Sequence, residues 1–277
     1  MNPASNLFDL SGKVTVITGG AGVLGLQHAQ AIMSHGGTPV LLDINTEGLI
    51  RNAKALSDLF QKEVLNFECD ITSTRTVIEV KDKILKNYRN IDILINNAAR
   101  NPKVEAATGV EFSRLEEFDD EQWNLDLSVG LGGAFICSKV FGTVMACSGE
   151  GGVITNIASD LSVIAPDQRL YSVAGLPSDR QPVKPVTYSV VKHGLIGLTK
   201  YLSTYWCDQG VRCNALSPGG IYNNQNDIFI SKINKLIPMG RMANPSEYQG
   251  AIIFLCSNAS SYLNGANLIM DGGRSVW

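Results

Sequence analysis

A chain of 277 residues is long enough to bury a sizeable core, as one large α/β domain or two small ones. With 44% apolar and 18% charged residues it has an ordinary globular composition, and a net charge of −3 gives no argument for a nucleic-acid or membrane partner. The start, Met1-Asn2-Pro3-Ala4-Ser5-Asn6, has neither a basic region nor an apolar run, so no signal peptide is expected there. No uncharged apolar run reaches membrane-spanning length. Cysteines 69, 137, 147, 207, 213 and 256 show no Cys-x-x-Cys and lie mostly in apolar segments. They are expected as free core thiols in a reducing cytosol. His28, His35 and His193 lack ligand spacing, so no metal is expected.

In chain order, the apolar run 14–18 reads as a strand and meets Gly19-Gly20-Ala21-Gly22-Val23-Leu24-Gly25. A helical pattern (Leu26, Ala29, Ile32, Met33) follows and closes at Gly36-Gly37. Then come a strand at 39–43, a helix at 46–59, a strand at 64–68, a helix at 74–88 and a buried strand at 91–96. In the second half, 119–147 reads as mostly helical, 152–157 as a strand and 186–207 as a long helix. A strand at 211–217, a helix at 245–257 and a last strand at 267–270 complete it. Strands alternating with helices predict a doubly wound, seven-stranded parallel sheet with helices on both faces. No linker or repeat divides 1–277, so a single domain is expected. Two segments break the rhythm. Residues 161–185 are irregular and carry Pro166, Pro177, Pro182 and Pro185; residues 219–238 are polar with one short helix. Both follow strands, on the carboxyl edge where such sheets bind ligands, and they read as a substrate lid and a second substrate loop.

The chemistry centres on Tyr188 and Lys192, which stack on one helix face at a spacing of four. An ammonium within a few Å favours phenolate and lowers a phenol's pKa, giving a proton acceptor suited to alcohol oxidation by hydride transfer. The bland alternative is a half-buried tyrosine beside a solvated lysine. The glycine turn opens a helix N-terminus whose free N–H groups suit a pyrophosphate, or is simply tight packing. Asp43 ends the second strand, where a carboxylate accepts from both ribose hydroxyls of NAD and repels a 2′-phosphate; it could equally be a turn aspartate before Asn45. Asp70 could meet an adenine, or cap the next helix with Thr72 or Ser73.

Taken in order, Thr18-Gly19 with Gly25, Asp70, Asn96-Asn97-Ala98, Ser159, Tyr188/Lys192, Pro218-Gly219 and Asp271-Gly272-Gly273 resemble the short-chain dehydrogenase/reductase family, from about Leu10 to Gly273. The resemblance implies a Rossmann-type fold, a nicotinamide cofactor, and a homotetramer or homodimer in the cytoplasm. It implies Tyr188 as general acid/base and Lys192 as its partner, also bonded to the nicotinamide ribose. Ser159 would hold the substrate oxygen. For the cofactor it implies Gly19, Gly22, Val23, Leu24 and Gly25 at the phosphates, Asp43 and Ile44 at the ribose, and Asp70, Ile71, Asn97, Ala98 and Ala99 around the adenosine. Pro218, Gly219 and Ile221 would pass under the nicotinamide. The run from Ala165 to Tyr171, continued through Pro185-Val186-Thr187, is similar to oxidoreductases of bacterial surface-sugar pathways, including flagellin glycosylation.

Three departures stand out. Val23 and Gly22 replace the usual glycine spacing of the turn. Gly130 occupies the position where the family places a catalytic Asn, seven residues after Trp123, so an altered water relay behind Lys192 is expected. Ser159 and Tyr188 are separated by the surplus proline-rich segment, where the family usually has about a dozen residues. Tyr171 stands at that usual spacing, but Gly175 occupies the lysine position, so Tyr171 is not the base. The lid offers Gln168, Arg169 and Tyr171, with Arg180 and Lys184, as donors to hydroxyls and phosphate, so a polar, sugar-like alcohol or ketone is expected with NAD. The rivals are an NADPH-linked reductase of less polar ketones, disfavoured by Asp43, and a non-catalytic NAD(H) sensor, favoured only by Gly130.

Overall fold

Every residue of β1 (Val14–Thr18) is buried, because it runs mid-sheet between β2 (Thr38–Asp43) and β4 (Ile93–Asn96), parallel to both. The computed structural model describes residues 7–100 and 113–277; the stretch in which no signal peptide is expected lies outside them. β3 (Leu65–Glu68) pairs outside β2, and β5 (Gly152–Ile157), β6 (Val211–Pro218) and β7 (Asn267–Met270) extend the other side. The seven strands run in the order β3-β2-β1-β4-β5-β6-β7, all parallel. This is the Rossmann-like arrangement expected from the alternation. Its switch point, where the chain reverses its direction of spread, falls between β1 and β4.

Alternate side chains of each central strand feed two apolar layers. Ile17, Leu41, Ile93 and Ile95 meet α1 (Val23–Ser34), α2 (Thr46–Phe60) and α8 (Gln249–Cys256) through Ala29, Ile32, Leu49, Leu56, Ile252 and Leu255. Val16, Val40, Leu94 and Ile154 meet α3 (Thr74–Asn87), α5 (Gly133–Cys147) and α6 (Val186–Tyr205) through Val77, Ile84, Cys137, Phe141 and Leu202. Burial of each large side chain contributes about 1.5–3 kcal/mol. The stretch Asp120–Cys147 is long and apolar enough to cross a membrane, but 50% of its most apolar window is buried. Cys137, Phe141 and Met145 within it line the second layer, so it is packed here as a core element.

That stretch contains a local irregularity. α4 (Asp120–Leu127), capped by the Asp119 carboxylate accepting from the Gln122 N–H, runs into α5 through a π-turn at Ser128–Gly132. Among the cysteines, Cys69, Cys137, Cys213 and Cys256 are buried free thiols, as expected, whereas Cys147 and Cys207 are exposed.

The two arrhythmic segments pack together on the carboxyl edge. Residues 161–185 form three short 3₁₀ turns, and 219–238 contain α7 (Asp227–Asn234), capped by Asn226. Leu170 and Tyr171 of the first join Ile233, Ile237 and Phe229 of the second in a separate small cluster. The Lys232 ammonium donates to the carbonyls of Arg169 and Ser172, at 3.2 and 2.7 Å, and to the Ser172 hydroxyl.

Candidate active site

The glycine turn leads directly from β1 into α1. Gly19 has φ +69°, and a Cβ there would lie 2.8 Å from the Asn97 amide and 2.9 Å from Cα of Ala98. β1 and β4 can therefore close on each other only with glycine at this position. Thr18 Oγ1 accepts from the N–H groups of Asn97 and Ala98, and the Asn97 amide donates to the carbonyls of Thr18 and Gly19. Gly22 is the N-cap of α1, and no side chain bonds the amides of its first turn. The spacing displaced toward Gly22 thus still delivers a helix N-terminus with free donors, and Gly25 packs against Gly19 and Gly20. The sequence reading missed Asn52, on α2, whose amide donates to the carbonyl of Gly20 and braces the turn.

Asp43 is half-buried at the end of β2, and both its oxygens are engaged. Oδ2 accepts from Ala21 N–H and Oδ1 from Asn45 N–H, each at 3.0 Å. It is a turn aspartate and, at once, a carboxylate beside the glycine turn. Asp70 is exposed and accepts from the N–H and hydroxyl of Thr72, while Ser73 caps α3. Ile44 and Ala99 are exposed at strand ends beside these groups, and Ile71 is buried below them. At the far side, Gly219 follows β6 with its N–H on the Met270 carbonyl, and Ile221 bridges to Ala243. These groups form a cradle, and its features fit a dinucleotide: a crowding-enforced glycine, free helix-terminal donors and a strand-end carboxylate.

β5 places Ser159 just beyond its end, and α6 brings Tyr188 and Lys192 beside it. The Tyr188 phenol is pushed above its ordinary value chiefly by burial; a Ser159 hydrogen bond pulls it back, the Asp160 charge raises it and Arg274 lowers it. The sequence had predicted a lowering by Lys192. That ammonium sits 5.7 Å from the ring centre and donates to the Ile157 carbonyl at 2.9 Å. Burial, and then the Lys184 charge, depress Lys192 to about 8. Burial outweighs the neighbouring ammonium in this site.

Lys184 lies over the Tyr188 ring, 3.7 Å from its centre, and burial lowers it also to about 8. Sequence reasoning placed it only among the lid donors. A small cavity beside Tyr188 and Lys192 is lined by Arg100, Asp126, Gly130, Thr187 and Val191. Asp126 accepts from the Thr187 hydroxyl at 2.6 Å and from Gln122, and pairs with Arg100 at 3.5 Å.

The lid residues separate. Tyr171 packs against Phe229 at 5.8 Å, and burial raises its phenol. Gln168 Oε1 accepts from Lys184 N–H, bracing the chain as it returns to α6. The Arg169 side chain is 86% exposed and is held on Asp167 at 2.7 Å.

This arrangement can bind a dinucleotide along the switch point and place a phenol, an ammonium and a hydroxyl where its reactive ring would end. A family model described as "short chain dehydrogenase" matches residues 13–232. The chain belongs to the short-chain dehydrogenase family. It is thereby an oxidoreductase of CH–OH groups that uses a nicotinamide cofactor. One relative in this family is a D-threitol dehydrogenase of Mycolicibacterium smegmatis, 31% identical over 97% of this chain and 95% of its own. Another is the post-translational flagellin modification protein A of Campylobacter coli, 27% identical over 95% of this chain and 98% of its own. Among solved structures, a gluconate 5-dehydrogenase of Burkholderia cenocepacia, in complex with NADP and tartrate, superposes with a TM-score of 0.84 at 26% identity. The match covers 99% of both chains.

Proposed function

We propose that this short-chain dehydrogenase is a single-domain enzyme that oxidises a secondary alcohol of a polyol or sugar derivative, or reduces the matching ketone, with NAD. The observation that carries the reading is the convergence of Ser159, Tyr188 and Lys192 beneath a cap built from 161–185 and 219–238. The threitol and gluconate relatives support a polar, sugar-like substrate.

NAD, when bound, would supply the acceptor for the hydride of the carbinol carbon. Tyr188 takes the hydroxyl proton as that hydride leaves. Tyr188 must be ionised to accept that proton, and because its phenolate is costly in the buried site, the nearby ammonium groups of Lys192 and Lys184 stabilise that charge until the proton arrives. Ser159 holds the reacting oxygen. Gly19, Gly22 and the first turn of α1 would hold the pyrophosphate, Asp43 the adenosine ribose, and Pro218-Gly219 the nicotinamide side. NAD in preference to NADP rests on Asp43, since a 2′-phosphate there would meet a fixed carboxylate. The fold does not decide it, because the gluconate relative binds NADP.

A homodimer or homotetramer is supported by exposed aromatic surface on α5 and α6. Phe135 is exposed, and Tyr201 and Tyr205 stack at 5.5 Å. The free thiols support a cytoplasmic setting. The test is NADH absorbance during a screen of polyols, sugar acids, sugar phosphates and nucleotide sugars, run alongside Tyr188→Phe. A substrate turned over by the wild type and slowed roughly 10²–10⁴-fold in the variant is the expected result. Equal turnover in both would show that another group is the base.

A further inference from the structure

Asp160 follows Ser159 directly, and at 4% side-chain exposure its carboxylate is almost fully removed from water. A charge buried this way is strongly destabilising unless paired. The partner comes from the other end of the chain. Arg274, 7% exposed, reaches Asp160 Oδ2 with Nη1 at 2.7 Å. It is delivered by the C-terminal turn Arg274–Val276, which Asp271 fixes by accepting from the N–H groups of Gly273 and Ser275. The other carboxylate oxygen has a separate task. Oδ1 accepts from the Ser159 hydroxyl and from Leu161 N–H, both at 2.8 Å.

We propose that Asp160 and Arg274 are a positioning pair that sets the direction of the Ser159 hydroxyl and balances the charge beside Tyr188. This rests on the assignment of Ser159 and Tyr188 to catalysis. Ser159 has one proton and three acceptors that compete for it: Asp160 Oδ1, the Tyr188 oxygen, and the substrate oxygen on which charge develops during the reaction. With the proton on Asp160, Ser159 Oγ also accepts from Leu161 N–H at 3.2 Å. Turning the hydroxyl toward a charged oxygen needs only rotation about Cβ–Oγ and breaks no covalent bond. Arg274 draws charge toward Oδ2 and so weakens the grip of Oδ1 on that proton. The two charges act on Tyr188 with opposite sign, Asp160 raising and Arg274 lowering its titration. The other groups facing Tyr188 are Lys184 on its ring, Lys192 on its own helix, Tyr171 from the lid, and Arg100 and Asp126 across the cavity. Of these, Lys184 and Tyr171 also feel the pair: Asp160 raises both and Arg274 lowers Tyr171.

The test places a ring-fluorinated tyrosine at position 188, whose phenol is more acidic, and follows its fluorine resonance against pH in Asp160→Asn, Arg274→Met and the double variant. Binding of NAD is measured in each. A positioning pair predicts a lower titration in Asp160→Asn and a higher one in Arg274→Met, each by roughly one pH unit or more, with the double variant between them. Arg274→Lys should stay near the parent. If Arg274→Met alone does not fold, the comparison of the double variant with Asp160→Asn still reads the effect, and removing Arg274 there must raise the titration. Shifts of one sign in both single variants, or none with NAD binding intact, overturn the proposal. The readout needs no substrate. Full turnover by Tyr188→Phe would therefore remove the catalytic assignment separately, leaving the titration to judge the pair.

Discussion

Val191 occupies the space that a side chain at position 130 would need. A Cβ built on Gly130 lies 2.5 Å from Cγ1 of Val191, on the helix that carries Tyr188 and Lys192. Gly130 sits inside the π-turn between α4 and α5, a backbone irregularity often found at functional sites. The position is therefore a repacked one, filled by a valine of α6. Gly130→Asn should cost roughly 1–3 kcal/mol of stability through overpacking and lower activity by displacing α6. Gly130→Asn with Val191→Ala should recover much of both. Thermal melts and turnover of the two variants check this; a stable, active Gly130→Asn single variant would show that the helices yield freely.

What the sequence disclosed and what it hid divide by distance along the chain. All seven strands were legible because most are apolar runs closed by turn residues, and the parallel class followed from the intervening helices. Tyr188 and Lys192 were legible because four residues make one helical turn. The Asp160–Arg274 pair was not, since its partners are 114 positions apart, although a charge directly after an apolar strand was a visible hint. The upward shift of Tyr188 was hidden for a related reason. Burial and the charges of Asp160 and Arg274, groups far from α6 in sequence, set it, and no local spacing encodes them. The valine that fills the space beside Gly130 likewise lies on a different helix.

Asp43 supports a prediction about cofactor choice that differs from simple removal of repulsion. Its oxygens hold the N–H groups of Ala21 and Asn45, so the carboxylate also fixes the glycine turn. Asp43→Ala should thus weaken NAD binding while strengthening NADP relative to it, narrowing the preference by about tenfold or more. Calorimetric titration with both dinucleotides measures the two changes. Equal affinity for both in the wild type would remove the argument.

His28 on α1 is fully buried, and burial depresses it to about 4, with the Asn97 side chain offsetting part of that. The folded protein keeps this imidazole neutral, while the unfolded chain takes up a proton near the ordinary value of about 6.5. Between those values the unfolded state binds more protons, so stability rises with pH. The contribution, on the order of 3 kcal/mol, is fully present above about 6.5 and is lost as pH falls toward about 4. Denaturant melts across this window should show a steeper slope for the wild type than for His28→Leu. Identical slopes would mean that the imidazole ionises equally in both states.

The last prediction concerns the cap over the active site. Donor chemistry in the sequence pointed to Arg169, but its side chain faces solvent and is held on Asp167, whereas its carbonyl is gripped by Lys232. Lys232 is the staple between the two loops, taking the carbonyls of Arg169 and Ser172 and the Ser172 hydroxyl from α7. Tyr171 and Phe229 continue that contact toward Tyr188, whose charge is felt at Tyr171. A cap that positions substrate should therefore tolerate Arg169→Ala with little change. Lys232→Ala should lose roughly tenfold or more in kcat/KM, because small displacements of positioning groups are costly in rate. NAD affinity and oligomer size should stay intact in both, since the staple touches neither the glycine turn nor the exposed aromatic faces of α5 and α6. Kinetics with the best substrate of the screen, together with light scattering, distinguish the outcomes. A smaller assembly with unchanged kinetics in Lys232→Ala would mean that these loops hold subunits together, and the argument for a polar substrate from the lid would fall with it.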